Sequence, residues 1–179
     1  MNANPIRMKK ILIALLYYSF LGSIFSQTTN TEANEIEVDG LLKTANQLSE
    51  KREFTPALEL MAKAEQFTLA QFNSSSLPYG KVCFQYGLIY HTKGEHPEAE
   101  KWFLQAKAIR RQILGAEHPD YAATLFRLGL VYFHLGNNYE KAEQNYLQAL
   151  DIQEKKLGKN HLDYALTQFN LANIYVYLG

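Results

Sequence analysis

A chain of 179 residues with 47% hydrophobic and 20% charged residues has the composition of one folded domain, which excludes a disordered tail or a low-complexity linker. Its 18 basic and 18 acidic residues leave no net charge to favour a phosphate backbone or an anionic lipid surface, so nucleic acid is not an expected partner. The one cysteine, Cys83, excludes an internal disulfide and a thiolate zinc site, and reads as a small buried hydrophobe.

In chain order, Arg7, Lys9 and Lys10 precede the apolar run "ILIALLYYSFLGSIF", and Ser26 stands before the polar "QTTNTEANE". Basic, apolar, small is the order of a secretory signal peptide, and the run is short for a membrane span. Residues 1–26 are therefore expected to be a signal cleaved near Ser26, with an uncleaved N-terminal anchor as the alternative, and 27–35 a polar linker. Cleavage leaves 15 basic against 18 acidic residues, a net charge of about −3. No cysteine lies at that point for lipid attachment, so the product is expected to be exported and soluble, periplasmic or secreted.

From residue 36 onward the chain repeats itself. Ala45, Gly87, Gly129 and Ala172 recur at spacings of 42, 42 and 43 residues, and Leu48, Tyr90, Tyr132 and Tyr175 follow each of them by three. Ala57, Ala99 and Ala142 form another series, and Ala64, Ala106 and Ala149 a third. In the third unit Leu125, Leu128, Gly129, Tyr132 and Leu135 make one helical stripe, "GNNY" breaks it, and Ala142, Tyr146, Ala149, Leu150 and Leu157 make a second. The second unit does the same with Ala99, Trp102, Phe103, Ala106 and Ile113. Each unit is thus helix, tight turn, longer helix, loop. The small residues let two helix axes approach, Trp102, Phe103 and Tyr146 fill the space between pairs, and stability must come from stacking neighbours.

These units resemble tetratricopeptide repeats of the 42-residue kind found in kinesin light chains and in many bacterial repeat proteins. The small and large positions of that pattern are Leu128, Gly129, Tyr132, Gly136, Ala142, Tyr146 and Ala149 in the third unit, and Tyr86, Gly87, Tyr90, Gly94, Ala99, Phe103 and Ala106 in the second. The first unit departs from it, with Arg52 at the turn glycine and Met61 at the aromatic. The resemblance implies an all-α fold, an α-α superhelix of about three and a half repeats at 36–77, 78–119, 120–162 and 163–179.

"GAEHPDYA" at 115–122 returns as "GKNHLDYA" at 158–165. His118-Pro119-Asp120 has the letters of the J-domain co-chaperone motif, but it recurs at repeat boundaries and loses its proline at Leu162, so it reads as a device that starts a helix. Pro119 suits a first helical turn, as does Pro78 near the second unit's junction, and Asp120 and Asp163 complement the helix dipole. His118 and His161 stand one repeat apart, roughly 10 Å for packed helix pairs, whereas ligands sit about 2 Å from a zinc ion. They are not expected to share a metal. Glu95, Glu98, Glu140 and Glu143 open the second helices and Lys107, Arg110, Arg111, Lys155 and Lys156 close them, which also suits the dipole. No carboxylate pair, phosphate loop or nucleophilic triad stands out, so neither enzymatic activity nor a cofactor, metal or small-molecule substrate is expected.

The resemblance implies that first helices line a concave groove holding a peptide or partner helix. Carried over, its positions are Lys81, Phe84, Gln85, Leu88 and His91, then Ala123, Phe126, Arg127, Leu130 and His134, then Leu166, Phe169, Asn170, Asn173 and Tyr177. Relatives often carry Asn at the places of Phe126 and Arg127 to grip a peptide backbone, and here only Asn170 keeps that choice. Phe84, Phe126 and Phe169 are either an aromatic ladder along the groove, flanked by Lys81, Arg127 and two His, or core between paired helices. The ladder would suit an apolar segment carrying acidic groups.

The sequence stops at Gly179, after a first helix, where Leu171, Ile174, Tyr175 and Leu178 are expected to lack their second helix. That points to a piece of a longer protein or to self-association through the uncapped helix. Two functions follow: an exported protein-binding scaffold, or the sensory or docking region of a longer protein whose effector, as the resemblance implies, is a caspase-like protease or a sensor histidine kinase.

Overall fold

The computed structural model describes the backbone of residues 5–136 and 138–178 and the side chains of 28–136 and 138–177. Its helices are α1 (Pro5–Glu50), α2 (Phe54–Gln71), α3 (Leu77–Lys93), α4 (His96–Leu114), α5 (Pro119–Leu135), α6 (Tyr139–Leu157) and α7 (Leu162–Leu178). No strand occurs among the described residues. The chain divides into Met1–Asp39 and Gly40–Gly179.

The first unit is the leading part of α1. The signal expected over 1–26 lies outside the described side chains. Residues 27–35, expected as a linker, are helical, and no proline stands between Ile6 and Glu50 to interrupt the backbone bonds. Among the described residues no helix is long and apolar enough to cross a membrane.

The second unit stacks helix pairs. First helices α3, α5 and α7 begin at Leu77, Pro119 and Leu162, each one residue before the repeat boundary expected from sequence. Each has a side-chain cap: Ser76 Oγ accepts from the Tyr79 amide at 3.3 Å, His118 Nδ1 from Asp120 at 3.0 Å, and His161 Nδ1 from Asp163 at 3.2 Å. The recurring octet therefore uses its histidine, as well as its proline and aspartate, to start a helix. Gly115 and Gly158 precede that cap at φ 89° and 85° with extended ψ, a region essentially closed to other residues. The second helices follow short turns, and Glu53, Glu95 and Asn138 precede them without a side-chain cap.

Small residues do admit close packing, but Phe103 and Tyr146, expected between successive pairs, sit on the glycines of their own pair. A Cβ on Gly87 would lie 2.6 Å from the Phe103 ring, and one on Gly129 2.4 Å from the Tyr146 ring. Phe103 and Tyr146 are fully buried on these glycines, and Trp102 stacks on Tyr86 at 4.2 Å. One cluster, Ala99, Phe103, Leu128, Val131, Tyr132, Ala142, Tyr146, Leu171 and Ile174, joins α4, α5, α6 and α7.

Two expectations change. Leu171 and Ile174 are buried in that cluster, because α5 and α6 cover this side of α7. The uncovered side carries Ala172, Tyr175 and Val176, the last 80% exposed. Arg110, expected only to complement the dipole near the end of its helix, does more. It is buried, donating from Nη1 to the Asp120 carbonyl and to Thr124 Oγ1, both at 2.9 Å, and so ties α4 to the start of α5. Cys83 is fully buried beside Gln105, and burial, aided by Glu65, pushes its thiol up to about 12, which keeps it protonated and unreactive.

Candidate functional site

The stripe packed into the core on α3, α5 and α7 leaves another row of side chains on the same helices, spaced three and four residues apart. Structure divides the row expected as a groove into two places and sets some of its residues aside.

The first place is a cavity of about 280 Å³ lined by Phe84, Ala123, Phe126, Arg127, Gln153, Asp163 and Leu166. Phe84 comes from α3, Phe126 and Arg127 from α5, Gln153 from α6, and Asp163 and Leu166 from α7. Both phenylalanines are half-buried, so they are neither wholly core nor wholly surface: Phe84 meets Phe103 edge-on at 5.5 Å and Phe126 meets Tyr146 at 5.9 Å. Arg110 lies over the Phe84 ring at 4.0 Å and Arg127 over Phe126 at 5.6 Å, cations held on ring faces. Burial lowers the Arg127 pKa from its usual range, and Asp163 opposes that by favouring the charged form. Gln153 is 3% exposed and its Oε1 has no hydrogen-bond partner. The third rung of the phenylalanine series departs from the others: Phe169 is 64% exposed.

The second place lies at the far ends of the same helices. His91 in the last turn of α3, His96 at the start of α4 and His134 in the last turn of α5 form a triangle, with ring centroids 5.2, 5.2 and 5.0 Å apart. Burial, then His134, His96 and Arg127, lowers the His91 pKa to about 4, and burial with His134 lowers that of His96. Both rings are thus neutral at pH 7. Rings continue from there: His134 meets Phe133, Phe133 meets Tyr177 at 5.3 Å, and Tyr177 stacks on Tyr139 at 5.4 Å. Among the described residues, no group of three or more His, Cys, Asp or Glu side chains could hold a metal ion.

The remaining groove residues do not line the cavity. Gln85 donates to Asn46 Oδ1 at 2.9 Å, a bond between α3 and α1. Asn170, the one residue matching a backbone clamp, spends its amide on the Leu166 carbonyl of its own helix at 2.8 Å. Lys81 and Asn173 are half-buried. Sequence reasoning missed Gln153 and Asp163, which reach the cavity from a second helix and from the next repeat, and His96, which sits beside a turn, off the first-helix register.

The tetratricopeptide repeat family model matches residues 82–155 and 128–179. Among solved structures the chain is similar to the nearly identical TPR-like repeats of a Podosopora anserina protein named as a kinesin light chain. Identity is 22% and the TM-score 0.72, over 79% of this chain and 66% of that one. It is similar also to BtubC (BKLC) from P. vanneervenii, at 18% identity and a TM-score of 0.70, over 80% of this chain and 56% of that one. The chain thus spans less than two thirds of either structure's length, and at such identities the likeness is one of fold. No curated protein matches it.

Proposed function

We propose that this chain, which belongs to the tetratricopeptide repeat family, is a non-enzymatic scaffold that seats an apolar side chain of a partner peptide or helix between Phe84, Phe126 and Leu166. Repeats of this family mediate protein–protein contact. The observation carrying the finer reading is Gln153: a buried acceptor with no partner costs about 1–3 kcal/mol, and this one lines an open cavity. A partner's N–H would satisfy it. Arg127 beside it selects an acidic group near the apolar one, since its guanidinium lies over the Phe126 ring and Asp163 favours its charged form. A cavity of 280 Å³ suits one large side chain and its neighbours.

The test is selection of a random peptide library on the purified chain and on its Phe126→Ala and Arg127→Glu variants. Enriched peptides should pair an aromatic or branched aliphatic residue with Asp or Glu, lose affinity for F126A, and be replaced on R127E by peptides carrying Lys or Arg. Peptides that bind all three proteins equally would exclude this site.

Two further readings rest on less. The order of basic, apolar and small residues over 1–26 supports export with cleavage near Ser26, checked by the N-terminal mass of the protein recovered from an expressing cell. The uncovered side of α7, with Tyr175 and Val176 exposed, supports self-association, checked by light scattering across a concentration series.

A further inference from the structure

The second helices α4 and α6 approach their ends alike. Ile109 and Ile152 are buried at equivalent places, and the residue after each, Arg110 or Gln153, is buried as well. Each is followed by a first helix that opens with the same hydrogen bond: Thr124 Oγ1 donates to the Asp120 carbonyl at 2.9 Å, and Thr167 Oγ1 to the Asp163 carbonyl at 2.8 Å. Both threonines are fully buried. The two junctions therefore present the same acceptors, beside Phe84 in one and beside Phe126 in the other.

What stands among those groups differs. At the junction of α4 with α5, the Arg110 guanidinium lies over the Phe84 ring at 4.0 Å and donates to the Asp120 carbonyl and to Thr124 Oγ1, both at 2.9 Å. Glutamine is shorter and uncharged, and cannot do the same. At the junction of α6 with α7, Gln153 Oε1 has no partner, and the cavity of about 280 Å³ opens between Phe126, Gln153 and Asp163. Arg127, from the same helix as Phe126, stands off its ring at 5.6 Å and lines the cavity without filling it.

We infer that the residue at this place in each second helix decides where the chain takes a partner: Arg110 is a built-in occupant that closes one junction, and Gln153 leaves the next open for a single partner side chain. The inference rests on the reading of the cavity as a peptide seat, and adds to it the number of seats and the residue that sets it. The partner engages through one anchor residue, not through anchors repeated along α3, α5 and α7.

Gln153→Arg tests this. Its guanidinium should reach the Asp163 carbonyl and the Thr167 hydroxyl, tie α6 to α7 and fill the cavity. The thermal midpoint should rise by roughly 2 °C or more. The peptide most enriched on the parent chain by library selection, labelled with fluorescein, should bind the parent at one equivalent and Q153R roughly tenfold or more weakly. Charge alone would act the other way, because an added arginine attracts the acidic group expected in these peptides, and a folding defect would lower the midpoint. Arg110→Gln, the mirror exchange, should lower the midpoint. Peptides that bind the parent at two or more equivalents, or bind Q153R as well as the parent, or a Q153R midpoint that is unchanged or lower, would overturn the inference. A parent that enriches no peptide would instead overturn the reading of the cavity, and the inference with it.

Discussion

In the third repeat Gly129 lies flat under the Tyr146 ring and Gly136 turns the chain at φ 72°. In the first repeat Ala45 and Met61, both fully buried, take the first two places, and Arg52 makes the turn at φ 62° with a full side chain. The first repeat's turn bonds as the second's does: Glu53 N–H reaches the Leu48 carbonyl as Glu95 N–H reaches Tyr90, both at 2.9 Å. One architecture is therefore held in two ways. The third repeat seats a rigid ring on a missing side chain; the first carries a buried methyl and a buried flexible thioether at the equivalent places, and accepts a left-handed residue costing on the order of 1 kcal/mol. The comparison teaches that the positions work as complementary pairs, and that the cavity and the histidine triangle rest on the repeats with the rigid version.

The largest effect should come from emptying the rigid pair. Tyr146→Ala removes a fully buried ring and should cost about 3–5 kcal/mol in chemical denaturation. Met61→Ala in the first repeat should cost less, about 2–3 kcal/mol, because it removes a smaller side chain. Next comes Gly129→Ala. Better helix propensity returns about 1 kcal/mol, but a Cβ at 2.4 Å from a ring that cannot retreat costs about 1–3 kcal/mol and more at such overlap. The net expectation is a loss of about 2 kcal/mol, read as a lower urea midpoint with an unchanged slope. Removing a repeat junction's cap, His118→Ala, should cost about 0.5–1 kcal/mol, and His161→Ala no more, since its bond is longer. The smallest effect has the opposite sign: Arg52→Gly should stabilise by about 0.5 kcal/mol, the relief of a left-handed arginine less the added freedom of glycine in the unfolded chain.

Much of this architecture was legible in the residues. The period and the two stripes per unit follow from spacing and side-chain size alone, because packing of paired helices is local in sequence. The seats of Phe103 and Tyr146, expected between successive pairs, are instead on the glycines of their own pair. The site was legible only along first helices. Phe84, Phe126 and Arg127 come from that register and meet at the cavity, whereas Gln153 and Asp163 approach from other helices, which no spacing within one stripe reveals. His96 escaped notice because it stands beside a turn, and the capping role of His118 because a ring nitrogen is an unusual helix cap. Arg110 reads from sequence only as a basic residue closing its helix, since sequence gives its position there and not the Asp120 carbonyl and Thr124 hydroxyl beside it.

The pairing claim is tested most directly by a double-mutant cycle in the third repeat, with Gly129→Ala, Tyr146→Met and the combination measured by urea denaturation. The combined protein carries the alanine and methionine of the first repeat, so G129A should cost far less in the Tyr146→Met background than beside the native ring. The predicted coupling is about 1 kcal/mol or more in favour of the pair. Additivity of the two substitutions within about 0.3–0.5 kcal/mol would contradict it.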